Sequence, residues 1–152
     1  MKTKISCLLI SLLLYVTPSV AHEHEENEIG IANSFVYMPD EDTNAYGLHA
    51  HYIRSVFEHF GLGLGYERIF DDHGHQTFGA VFQYHPIHPL SFNVSPGILV
   101  EENSWATRKF SLHTEASWEF EVGPIHLGPL VEVAWGPDDL HFSAGLHTGI
   151  PF

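Results

Sequence analysis

Thirteen histidines and 19 acidic residues stand against six lysines and arginines in a chain of 152 residues. Two short patterns, His49-x-His51 and His113-x-Glu115, place ligand-type side chains on one face of an extended chain. Residues two apart in a strand lie roughly 7 Å apart on that face, so each pair could offer two donors to one ion. Imidazole with carboxylate suits Zn, Cu or Ni. A third pattern is His22-Glu23-His24-Glu25-Glu26. Cut before His22, it would present a free amine, two amide nitrogens and the His24 ring to square-planar Cu(II) or Ni(II). Asp71-Asp72-His73-Gly74-His75 is a further polar cluster, for which ordinary hairpin-turn chemistry is the simpler account. A nucleophilic reading rests on His141-Phe142-Ser143, with Glu132 or Asp139 orienting the histidine. The plainer alternative for the inward groups is a polar core in which histidines take protons and pair with glutamates, and for the tail a solvated acidic segment.

Positioning such groups requires elements, and composition narrows the choice. The chain is 44% hydrophobic and 13% aromatic, too apolar for a disordered tail, and long enough for one domain. A formal charge of −13 excludes ordinary nucleic-acid binding. The single Cys7 excludes a disulfide scaffold and a thiolate zinc site. Residues 1–21 read as a secretory signal: Lys2 and Lys4, an apolar run from Ile5 to Val16, then Ser19 and Ala21 before the cut. The run is short of the ~20 residues a spanning helix needs. Residues 22–27 form an acidic, histidine-containing tail, and 28–152 a single domain carrying four basic residues (Arg54, Arg68, Arg108, Lys109).

From Ile29 onwards apolar and polar residues alternate, the period of half-buried strands. Turn chemistry divides the stretch into eight strands: Glu28–Tyr37, Ala45–Arg54, Phe60–Phe70, Thr77–His85, Leu90–Glu101, Lys109–Val122, Ile125–Trp135 and His141–Phe152. One face of each is apolar and aromatic, from Ile29, Ile31 and Phe35 through Val94, Ile98 and Val100 to Phe142, Leu146 and Ile150. The other carries His49, His51, Glu67, His85, Glu101, His113, Glu115, Glu119, Glu121, His126, Glu132, His141 and His147.

Alternation alone does not say which face is inside. Glycine does. Three of the 13 glycines (Gly74, Gly123, Gly136) fall in turns, and the other ten lie on the polar face. The interior of an eight-stranded barrel is barely wide enough for side chains, so small residues belong there. The apolar face therefore points to lipid. Pro96 and Pro129 fall within strands and call for bulges, because a closed barrel has no edge on which to hide a missing donor.

The signal, the eight alternating segments and a last strand reading Phe142-x-Ala144-x-Leu146-x-Thr148-x-Ile150-x-Phe152 resemble the small outer-membrane β-barrels of the OmpA/OmpX type. The fold expected is all-β, an eight-stranded antiparallel up-and-down transmembrane barrel. The resemblance implies Sec export, an outer-membrane location, lipid as a partner, and recognition of the strand ending in Phe152 by the barrel-assembly machinery. It also implies a periplasmic N-terminus, with outer loops at 38–44, 71–76, 102–107 and 136–140 and periplasmic turns at 55–59, 86–89 and 123–124. A monomeric, closed, filled barrel is expected, without porin-like conductance and with no cofactor required. Its role would be structural or binding, with Cu, Ni or Zn as the candidate ions and His22, His24, His49, His51, His113 and Glu115 as candidate ligands. Two alternatives stay open: a metal-transport accessory protein, and a lipid A deacylase or acyltransferase acting through His141, Ser143 and Glu132.

Overall fold

A computed structural model of the protein describes residues 26–102, 104–137 and 139–152. The signal segment and the tail histidines His22 and His24 lie outside the described residues. Nine strands form: β1 (Asn27–Met38), β2 (Thr43–Phe57), β3 (Phe60–Phe70), β4 (His75–Ile87), β5 (Leu90–Glu101), β6 (Ser104–Trp118), β7 (Phe120–Val122), β8 (Ile125–Gly136) and β9 (Asp139–Pro151). Each pairs antiparallel with its neighbour in sequence, save that β6 and β7 are successive halves of one stave beside β8. The β1–β9 pairing closes the sheet into an eight-stave barrel and leaves no edge. No helix among the described residues is long and apolar enough to cross a membrane, a test that strands do not enter.

The two mid-strand prolines are accommodated without bulges. Pro96 keeps register with Leu112, and Pro129 with Leu146. Each instead opens a gap in the ladder on its other side: β4–β5 carries no pairs between Gly79↔Gly97 and Phe82↔Val94, and β6–β8 stops at Ser117↔Leu130, resuming as Phe120↔Leu127. A missing N–H removes a ladder bond without inserting a residue. The register shifts fall elsewhere, at Ser55/Phe57, Tyr84/Ile87 and Val100/Glu101. The last of these begins after Val100, which keeps register with Gln76 and Arg108 and is buried.

Beside the Pro129 gap the backbone of β8 runs so close to β6 that a Cβ on Gly128 would collide with the Trp118 carbonyl. Backbone cannot step aside as a side-chain tip can. Gly128→Ala should destabilise the barrel by about 1–3 kcal/mol, the usual range for overpacking, read as a lower urea midpoint in detergent.

Outside, the wall follows the alternation. Aliphatic residues such as Leu62, Leu64, Val131 and Val133 are exposed at mid-strand. Aromatic pairs flank them: Phe60–Tyr84 (ring centroids 4.9 Å) near the chain termini, and Tyr46–Phe70 (5.7 Å) and Tyr66–Phe78 (4.8 Å) towards the opposite end. An apolar band between aromatic girdles is the surface a bilayer solvates. Strands of 11 to 15 residues, apart from the split stave, meet or exceed the ~9–11 needed to cross. They are joined by tight turns, so the loops expected at 71–76 and 102–107 shrink as β4 begins at His75 and β6 at Ser104.

Candidate metal centre in the barrel lumen

The inward residues form one continuous polar column. Glu67 (β3), His113 (β6), Glu132 (β8) and His141 (β9) come from four strands and are all buried. They alternate around a ring. His113 Nδ1 lies 3.3 Å from Glu67 Oε2 and 3.4 Å from Glu132 Oε1, and His141 Nε2 lies 3.8 Å and 3.7 Å from the same two oxygens. All four ligand atoms fall within 4.8 Å of one another. Metal–ligand bonds of about 2.0–2.2 Å set the edges of a tetrahedron at about 3.3–3.5 Å. Two edges already have that length, and the two to His141 need a few tenths of an ångström. Two carboxylates and two neutral imidazoles also cancel the charge of a divalent ion, so the filled site buries no net charge.

Three further groups of ligand atoms adjoin this ring. His49 lies 3.6 Å from Glu115, which forms a set with Glu132. His51 and His147 stack at 5.2 Å beside Glu28, and Glu28 also groups with Glu119 and His126. Several buried atoms here lack a hydrogen bond: Glu67 Oε2, Glu115 Oε2, His49 Nδ1, His113 Nε2, and both ring nitrogens of His51 and of His147. Buried polar atoms are normally satisfied, and these donors and acceptors are ones that protons or cations could satisfy. Where the basic residues form pairs, they do so at the rims: Arg54 with Glu26, Arg68 with Glu102, and Lys109 with Glu101. Deeper in, histidine is the cation source available to Glu28, Glu67, Glu115 and Glu132.

The expected ligand pairs are thus inside but divided. His49 and His51 touch edge to face, centroids 5.4 Å apart, yet reach different carboxylates, Glu115 and Glu28. His113 and Glu115 likewise fall into separate sets. In this barrel the ligand atoms that converge come from different strands instead. Glu28 and Glu67 were absent from the candidate ligands, although Glu28 shares parity with Gly30 and Ala32 and Glu67 sits on the inward face. Of the nucleophilic candidates, His141 directs Nε2 at two carboxylates, and Ser143, buried and opposite Glu132, has no hydrogen bond to its Oγ.

A closed wall with an oily exterior and a filled ionisable interior defines the class: a small eight-stranded transmembrane β-barrel. No family profile and no curated protein sequence matches the chain. Among solved structures the chain is similar to neisserial surface protein A (TM-score 0.62, 9% identity, covering 83% of this chain and 96% of that one). It is also similar to the N-terminal barrel domain of Pseudomonas aeruginosa OprF (0.57, 15%, 84% and 98%). A de novo designed transmembrane β-barrel gives 0.58 at 17% identity, over 86% of this chain and all of the design. At such identities the likeness is one of fold.

Proposed function

We propose that the protein is an outer-membrane barrel that binds one divalent transition metal in its lumen, through Glu67, His113, Glu132 and His141. The observation that carries this reading is the alternating His–Glu ring, whose contacts of 3.3–3.8 Å approach tetrahedral edges. That geometry favours Zn(II) over ions that prefer a square plane. The outer-membrane setting is supported by the girdled apolar wall, with the end holding both termini in the periplasm. Capture of Cu(II) or Ni(II) by His22 and His24 would be a separate, peripheral activity of the tail. The competing account is a proton-satisfied polar core without metal, and titration separates the two.

Refolded protein in detergent should bind Zn(II) at micromolar concentration or tighter, and X-ray absorption should show two nitrogens and two oxygens at about 2.0–2.2 Å. Ligands must shed protons to bind, so affinity falls as pH drops, by at least about tenfold between roughly pH 7 and pH 5. Failure to bind Zn(II), Co(II), Ni(II) or Cu(II) would leave the proton-only core as the answer.

A further inference from the structure

The ring is enclosed by the wall, so an ion must come to it from one end of the barrel, and the two ends differ. Opposite the termini, Val36, Met38 and Ile69 form a buried apolar cluster that offers a hydrated cation nothing in exchange for its water. The buried side chains of His75 and Asp71 at that end are already paired at 2.7 Å. At the terminal end the barrel opens into a cavity of about 700 Å³ whose lining includes Glu28, His59, His85, His88, Glu119 and His126.

Glu28 faces both ways. Its Oε2 lies 2.7 Å from His126 Nδ1, at the cavity. Its Oε1 lies 3.5 Å from His51 Nε2 and 3.9 Å from His147 Nε2, one layer deeper. Glu119 joins the outer group and stands 3.8 Å from His147 Nδ1. One carboxylate therefore belongs to two ligand triads, Glu28/Glu119/His126 at the mouth and Glu28/His51/His147 behind it. Gly30 keeps the inner triad open, since a Cβ there would run into the facing nitrogens of His51 and His147. Two stacked rings repel one another when both are protonated, whereas a single cation between them and Glu28 satisfies both.

We infer that the terminal mouth is an intake site for a divalent transition cation, in which Glu28 passes the ion from Glu119 and His126 to His51 and His147. From there the column continues: the His51 ring is 5.4 Å from that of His49, His49 meets Glu115 at 3.6 Å, and Glu115 groups with Glu132 of the buried ring. The second half of this route rests on the ring as destination. The mouth triads bind regardless.

The test uses Co(II), whose visible bands report coordination, on refolded full chain in detergent, with stopped-flow mixing for the rate. Folding of each variant is checked by heat-modifiable gel migration. Wild-type protein should bind more than one Co(II) per barrel. Glu28→Gln should lose the mouth ion, keep the ring ion, and fill the ring at least about tenfold more slowly. His126→Ala, at the half-exposed mouth where folding is least at risk, should slow filling in the same direction. Glu132→Gln should lose the ring ion and keep the mouth ion. If Glu132→Gln leaves stoichiometry unchanged while Glu28→Gln lowers it, the ring is wrong and the intake site stands. Unchanged stoichiometry and filling rate in both Glu28→Gln and His126→Ala would overturn the intake site.

Discussion

Glu132→Gln is expected to weaken Zn(II) binding at the buried ring by more than about 100-fold while leaving the barrel folded. Loss of an outer partner of a metal ligand already costs about 10–100-fold, and Glu132 supplies a ligand oxygen itself. It stands 3.4 Å from His113 and 3.7 Å from His141, and it also belongs to the adjoining set with His49 and Glu115. Glutamine keeps the volume, so the wall need not collapse around a hole. Isothermal titration of the refolded variant gives the affinity. Ser143→Ala is the control: across the β8–β9 ladder from Glu132, it removes an oxygen that makes no hydrogen bond, and the affinity should stay put. Equal affinity in wild type and Glu132→Gln would place the ion elsewhere.

The neighbouring residue predicts the opposite phenotype. Val131→Arg should cost about 2–4 kcal/mol of insertion free energy, the range for arginine facing lipid near the bilayer midplane. Val131 sits mid-strand in β8 and is 60% exposed on the outer wall, whereas Glu132 is 4% exposed and points inward. The expected readout is a reduced folded fraction in bilayer refolding, with metal affinity normal in the fraction that folds. A variant that refolds into lipid as completely as wild type would mean that this face is not the lipid face, and the inside–outside assignment would fail with it.

That assignment was legible because a strand's two-residue period fixes faces before any pairing is known. Glycine placement then chose between them, and the bounds of Phe60–Phe70 and Leu90–Glu101 emerge unchanged in β3 and β5. What alternation does not encode is the stagger between strands. Glu67 reaches His113 because four staves wrap to meet, a relation with no counterpart in spacing along the chain. Hence the candidate pairs were sought within one strand and found divided among sets. Val100 shows another limit: it keeps register with Gln76 and Arg108 yet is buried, because alternation assigns a face and not its exposure. Pro96 and Pro129 show how a correct concern can have another remedy: the lost donors fall on gaps in the ladder, and register survives.

The seam between β1 and β9 has one more implication. Asn27 and Phe152 exchange two backbone hydrogen bonds, of 3.0 and 2.8 Å, so the described chain starts and finishes side by side. Circular permutation is therefore compatible with the architecture: a short tether across this seam and a new opening at Pro39–Asp42 would preserve every rung of the sheet. In such a rearranged polypeptide the segment reaching Phe152 becomes internal. The property of being a shut cylinder is thereby separable from where along the polypeptide that aromatic residue stands.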